Sequence, residues 1–186
     1  MPLEQPRVVI VGGGAMGGLF GGLLAEGGLE VTIVDTWREH VAAINENGLR
    51  IVGYGGDRAI AVKATSDASS VGSADVVLFQ CKAFANLVAA RSVKHLFDST
   101  SVAISLQNGL GNEETLAGVL GEANVLGGLT AQAGLVIEPG VVRKFGDLPT
   151  YVGELAGGLS DRAVKIAEGP PGQIKDDHRV IEAYLG

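Results

Sequence analysis

A chain of 186 residues, 46% hydrophobic and 19% charged, has room for one ordinary domain plus a small appendage and enough apolar content to bury a core. Its net charge of −7 leaves no basic surplus for a nucleic-acid partner. One cysteine, Cys81, and three scattered histidines exclude an internal disulfide and a cysteine- or histidine-rich metal site, so no metal is expected.

No apolar run approaches the ~20 residues of a membrane span, and the first seven residues lack a signal-peptide pattern. The expected setting is therefore the cytoplasm, with no membrane partner.

The first element is the apolar run Val8-Val9-Ile10-Val11, which ends in Gly12-Gly13-Gly14 and turns directly into Ala15-Met16-Gly17. Strand, tight turn and helix in this order open a dinucleotide-binding βαβ unit. The spacing Gly12-x-Gly14-x-x-Gly17 gives each glycine a task. Gly12 turns the chain out of the strand, Gly14 lets backbone approach a pyrophosphate, and Gly17 lets helix and strand pack closely. The expected cofactor-binding stretch is thus Gly12, Gly13, Gly14, Ala15, Met16 and Gly17, with phosphate charge resting on the N–H groups of the helix start. In a chain with 29 glycines the same spacing can also arise as a glycine-rich turn of some other α/β protein. The run Glu30–Val34, ending in Asp35 about twenty residues on, favours the dinucleotide reading, because a carboxylate there accepts adenosine ribose hydroxyls.

The helix continues through Leu19–Ala25 and closes at Gly27-Gly28. Its extra glycines Gly18, Gly21 and Gly22 weaken it unless it is pressed against a sheet. A second helix is expected over Trp37–Asn47, capped by Thr36, with Val41, Ala42 and Ile44 inward and Gly48 as its stop. Strands over Leu49–Val52 and Arg58–Val62 flank the turn Gly53–Asp57. The nearly continuous apolar run Asp75–Gln80 predicts a buried parallel strand. A helix follows over Phe84–Phe97, offering Leu87, Val88, Val93 and Leu96 to the core. Then come a strand at Ser101–Leu106, a helix at Asn112–Leu120 and a strand opening at Asn124. Beyond, Ala133–Ile137 and Val141–Phe145 flank the turn Glu138-Pro139-Gly140, and Thr150–Gly153 adds a last strand. The expected fold is α/β: a Rossmann-type doubly wound sheet, mostly parallel with antiparallel late strands.

Open parallel sheets bind ligands outside the carboxyl ends of their strands. Two such ends carry polar residues: Gln80-Cys81-Lys82 and Gln107-Asn108-Gly109. Lys82 either meets a cofactor phosphate or substrate carboxylate, or is a solvated loop lysine. Asn108 either offers donor and acceptor to a ligand, or is a turn residue before Gly109.

The glycine turn, the run Phe79-Gln80-Cys81-Lys82-Ala83-Phe84, the string Ser105-Leu106-Gln107-Asn108-Gly109-Leu110-Gly111-Asn112-Glu113-Glu114, and Pro139-Gly140-Val141-Val142 with Gly153-Glu154 resemble the N-terminal half of ketopantoate reductases, the 2-dehydropantoate 2-reductases. The resemblance covers about residues 7–167. It implies NADPH-dependent reduction of a small α-keto acid to an α-hydroxy acid, on the route to pantothenate. It also implies roles: Lys82 beside the cofactor, Asn108 between nicotinamide and substrate, and Ala133 near a backbone cofactor contact.

Two departures stand against the family pattern. Where NADPH-using members place an arginine after the second strand, this chain has Asp35, which repels a 2′-phosphate and favours NAD; Arg38 is a later substitute. The family's helical second domain, which carries a proton-donating lysine and a substrate-binding acid, is not reached by this sequence, so weak turnover by the chain alone is expected. The same missing partner predicts exposed apolar surface and hence self-association, as a homo-dimer or an aggregation-prone species. Residues 168–186 read as a separate helical tail after a 1–167 cofactor domain. The stretch Lys165–Gly186 resembles the C-terminal end of ATP-binding subunits of branched-chain amino-acid ABC transporters, without the glycine-rich phosphate loop that ATPase activity needs. The leading reading is a reductase cofactor domain with a foreign tail, in a fused or truncated reading frame. The alternatives are a non-catalytic dinucleotide binder or remnant of a fused frame, and an interaction module whose tail helix docks on another chain.

Overall fold

The computed structural model describes residues 6–158 and 160–167. Along the chain these form β1 (Arg7–Val11), α1 (Ala15–Glu26), β2 (Glu30–Val34), α2 (Arg38–Asn47), β3 (Leu49–Gly53), β4 (Arg58–Ile60), β5 (Lys63–Thr65), β6 (Val76–Phe79), α3 (Asn86–Val93), β7 (Val102–Ser105), α4 (Asn112–Leu120), β8 (Val125–Thr130), β9 (Gly134–Glu138), β10 (Val141–Lys144), β11 (Thr150–Glu154) and α5 (Asp161–Ala167). The tail expected over 168–186 lies outside the described residues.

Seven strands make the main sheet in the order β11-β8-β7-β6-β1-β2-β5. All its pairings are parallel except β11 on β8, as expected of a doubly wound sheet with a late antiparallel strand. Strand β1 is central because both its faces are apolar. Val8 and Ile10 join one core with Val31, Ile33, Leu78 and Ile104. Val9 and Val11 join the other with Val77, Phe79, Ala90 and Leu116, beneath α3 and α4. Alternation of side chains along a strand thus feeds two helix layers from one run of four residues.

The strands β4-β3-β10-β9 form a second sheet, where the sequence predicted one mixed sheet. Its centre is a parallel pairing of β10 with β3, Val142 opposite Ile51, between segments some ninety residues apart. Helix α1 lies between the two sheets, and this explains its glycines. A Cβ on Gly21 would meet Ile10 and Ile33 of the main sheet at 3.1–3.2 Å, while one on Gly22 would meet Ile51 at 2.8 Å and Leu49 at 3.0 Å in the second. One helix face per sheet needs small residues on both sides.

Other expectations are corrected by helix phase and pairing. Thr36 does not cap α2; Trp37 holds that position with extended backbone, and its N–H is taken by Asp35 Oδ1 at 2.7 Å. Ala42 is exposed because α2 turns His40, Val41 and Ile44 inward. The segment expected as one helix over Phe84–Phe97 opens and closes in 3-10 turns around α3. Its inner face is Asn86, Ala90 and Val93, which rotates Leu87 and Val88 to solvent, 43% and 71% exposed. Strand β4 stops at Ile60, and Lys63–Thr65 instead crosses to the main sheet beside β2.

Helix α5 is tied to the β11–β8 edge by an ion pair. Arg162 Nε donates to Glu154 Oε1 at 2.6 Å, another guanidinium N–H reaches Oε2, and others reach the carbonyls of Ala123 and Val125. This contact, more than burial, sets the Glu154 carboxyl: the Arg162 hydrogen bond holds it below the ordinary glutamate range. A carboxyl lowered on folding contributes stability that is present above its unfolded value, about 4.3, and is lost as pH falls through the folded one. Asp75, held down by Arg7, acts with the same sign. Thermal melts from pH 7 to pH 3 should therefore show an acid-side loss, and Glu154→Gln should flatten part of it. Equal pH slopes in both proteins would remove Glu154 from the account.

Candidate active site

The chain leaves β1 toward β2 and β5, then returns to pair β6 with the other side of β1. The crevice beyond the carboxyl ends of β1 and β6 is the topological switch point, where open α/β sheets bind ligands. Gly12–Gly17 lies there. The loops after β6, with Lys82, and after β7, with Asn108, follow along the same edge of the sheet.

Three glycines of the turn are required by the protein's own packing. Gly12 has φ +97°, and a Cβ on it would lie 2.5 Å from the backbone N of Cys81 in the Lys82 loop. A Cβ on Gly13 would strike Ile33 Cγ2 at 2.6 Å, and one on Gly17 would fall 1.7 Å from the Gly12 carbonyl oxygen. Gly14 differs, since no atom lies within 4 Å of where its Cβ would be. Next to that open space, α1 begins at Ala15. Its first N–H groups, at Ala15, Met16 and Gly17, have no carbonyl one turn back to accept them, and the helix dipole adds positive potential there.

Asp35 closes the other side of the turn. Its Oδ2 accepts the Gly13 N–H at 2.5 Å while Oδ1 holds the start of α2. Both oxygens keep a lone pair for a further donor. His40, missed in the sequence, is fully buried and bonds the Gly13 carbonyl through Nε2 at 2.9 Å. Its Nδ1 accepts the Gly140 N–H at 3.0 Å, which fixes the proton on Nε2. Trp37 stacks on its ring, centroids 5.0 Å apart. The available signal was spacing: His40 lies four residues before Ile44 on the stripe that α2 buries.

The Lys82 and Asn108 loops are locked together by side-chain amides. Gln107 Nε2 donates to the Cys81 carbonyl at 2.5 Å and to Asn86 Oδ1 at 2.7 Å. Asn86 Nδ2 donates to Asn112 Oδ1 at 2.9 Å, and Asn112 Nδ2 reaches the carbonyls of Asn108 and Gly109 at 3.2 and 3.0 Å. Asn86 and Asn112 are buried, so this network is satisfied internally and rigid. Burial pushes the Cys81 thiol up, which favours the S–H form that donates to Asn86 Oδ1.

Lys82 and Asn108 themselves are exposed, and among the described residues neither side chain has a hydrogen-bond or ion-pair partner. Ala133 is also exposed and accepts the Phe145 N–H through its carbonyl. The next residue, Gly134, brings this stretch to the start of α1, where its Cβ would lie 3.3 Å from the Ala15 carbonyl oxygen. Arg38 sits exposed at the first position of α2.

A cleft of about 900 Å³ opens beyond β7, lined by Asn108, Leu110, Glu113, Leu129 and Leu155 among others. A cavity of about 740 Å³ at the amino ends of β2 and β5 holds none of the expected site residues, and the chemistry points to the carboxyl edge instead. Among the described residues no cluster of His, Cys, Asp and Glu could hold a metal ion, and no helix is long and apolar enough to cross a membrane.

A doubly wound sheet with a glycine turn at its switch point and an acid closing the second strand defines the Rossmann-type α/β class. Within that class, the chain belongs to the ketopantoate reductase PanE/ApbA family, whose model matches residues 8–157. A 2-dehydropantoate 2-reductase of Lactococcus lactis is 36% identical over 165 residues, covering 87% of this chain and 53% of its own length. The crystal structure of the Geobacter metallireducens 2-dehydropantoate 2-reductase superposes with a TM-score of 0.80 at 33% identity, over 87% of this chain and 53% of that one. D-mandelate dehydrogenase, solved with NADH and anilino(oxo)acetate, superposes with a TM-score of 0.77 at 26% identity, over 87% and 54%. The chain thus spans about half the length of the curated relatives it matches. A second family model, the branched-chain amino acid ATP-binding cassette transporter, matches residues 164–186.

Proposed function

We propose that this chain forms the cofactor-binding half of a nicotinamide-dependent reductase that converts an α-keto acid, 2-dehydropantoate by family, to the α-hydroxy acid. The observation that carries the reading is the convergence on one edge of three loops, from β1, β6 and β7. They present in turn an anion-ready helix start, a lysine without a partner among the described residues, and an exposed asparagine. The open space over Gly14 fits a pyrophosphate against backbone, with no side chain to displace. When bound, the dinucleotide supplies the hydride for the keto carbon.

The chain's own residues bind and orient. Gly14, Ala15 and Met16 offer N–H groups to phosphate, and Asp35 accepts ribose hydroxyls beside the Gly13 N–H it already holds. Lys82 meets a phosphate or substrate carboxylate with a charge-assisted bond. Asn108 donates to the substrate carbonyl from a loop that the Asn112 bonds keep in place.

Cofactor titration tests the proposal. The chain should bind NADH more tightly than NADPH by about tenfold or more, because a 2′-phosphate beside the Asp35 carboxylate faces like-charge repulsion. Tighter NADPH binding would overturn the preference and transfer the phosphate to Arg38. Binding of neither dinucleotide would overturn the reading altogether.

A further inference from the structure

We propose that His40 is a positioning residue for the dinucleotide: by holding the Gly13 carbonyl inward it aims the Gly14 N–H outward at the phosphates. The inference rests on the cofactor reading above. A trans peptide sets its C=O and N–H in opposite directions, and no cis bond occurs among the described residues. Nε2 of His40 takes the Gly13 oxygen at 2.9 Å into a fully buried site, so the Gly14 N–H of that same peptide must face the other way. Around Gly14 the backbone is uncrowded, with no atom within 4 Å of where its Cβ would be, so a phosphate can approach that N–H.

The preceding peptide is fixed differently, because its Gly13 N–H is consumed by Asp35 Oδ2. One N–H of the turn is therefore withdrawn by an aspartate and the next is presented by a histidine. His40 is itself held at both ends. Gly140 in the β9–β10 turn donates to Nδ1, which forbids the tautomer that would leave Nε2 without a proton. Trp37, whose own N–H is bound to Asp35, stacks on the ring and keeps its plane. The second sheet thus reaches the Gly14 N–H through the imidazole: Gly140 sets the tautomer, the tautomer sets the Gly13 carbonyl, and that carbonyl sets the Gly14 N–H.

The test separates the two ring nitrogens, using the full 186-residue chain and NADH, with NADPH in parallel. His40→Gln keeps a donor where Nε2 lies; His40→Asn keeps an acceptor where Nδ1 lies. Calorimetric titration should find His40→Gln within about threefold of the parent Kd, and His40→Asn weaker by roughly tenfold to a hundredfold, the range for one bond to a charged group. Equal loss in both variants, or no loss in either, would overturn the role, since a histidine that only fills space does not distinguish them.

A measurement on the unmodified protein guards against a variant that fails to fold. In 15N-resolved spectra the Gly14 amide proton should move downfield on NADH addition while the Gly13 amide stays nearly fixed. The reverse pattern overturns the proposal whatever the variants do. If the unmodified chain binds neither dinucleotide, the cofactor reading falls and takes this inference with it. If it binds and the histidine variants do not discriminate, only the inference falls.

Discussion

Gly17→Ala and Gly14→Ala, three residues apart in one motif, should fail in opposite ways. The added methyl at Gly17 would sit 1.7 Å from the Gly12 carbonyl oxygen, a backbone atom that moves only if the turn moves with it. Overpacking of this kind costs about 3 kcal/mol or more. For a domain of this size that lowers Tm by roughly 6–12 °C. At Gly14 the methyl enters open space at a negative φ, so Tm should stay within about 2 °C of the parent. The same methyl stands where a pyrophosphate would approach, and dinucleotide affinity should fall by roughly tenfold, a change of about 1.4 kcal/mol. Melting curves and calorimetry on the two variants read both effects. A Gly14→Ala chain that binds as well as its parent would remove the phosphate from this turn, and a Gly17→Ala chain that melts with its parent would contradict the packing of α1 on β1.

Turnover is expected to be slow for the 186-residue chain acting alone on 2-dehydropantoate with NADH or NADPH. Reduction of a ketone needs a proton for the developing alkoxide, and a positioned general acid is worth about 10²–10⁴-fold. Orientation of substrate against nicotinamide adds to that. The site edge offers Lys82 and Asn108 from two loops, while the chain spans about half the length of its relatives, and the resemblance puts the proton donor in the other half. Steady-state rates should therefore fall about 10²–10⁴-fold below those of a full-length relative, with cofactor binding retained. Adding the C-terminal half of the Lactococcus lactis relative, in trans or by fusion, should restore rate, and Asn108→Ala should abolish the restored rate. Full activity from this chain alone, lost on Asn108→Ala, would show a complete site within these residues.

Six of the seven strands of the main sheet and most helices were legible because each is announced locally. Val8–Val11 is apolar on both faces, and only the middle of a covered parallel sheet accommodates that. Gly48 and Gly121 end α2 and α4 with positive φ, a conformation a side chain resists. Elements whose signal is weak or distant were misread. Lys63–Thr65 is too short and too polar to announce a strand, and becomes one only because β2 offers it a free edge. Leu87 and Val88 look like core by composition, yet the phase of α3 follows Asn86, whose amide is claimed by Gln107 and Asn112 from elsewhere in the chain.

Local chemistry thus determined, from sequence alone, the doubly wound class, the glycine turn, the acid after the second strand and the two loops that carry Lys82 and Asn108. Each follows from residues within a few positions of one another, where propensity, turn geometry and alternation act directly. Tertiary structure alone decided that β10 pairs with β3, that α1 lies between two sheets, and that His40 joins Gly13 to Gly140 across a hundred residues of chain. Those facts depend on which distant surfaces can bury one another and on which buried polar groups find partners. Such requirements are satisfied only when the whole chain is folded, and no short stretch of residues expresses them.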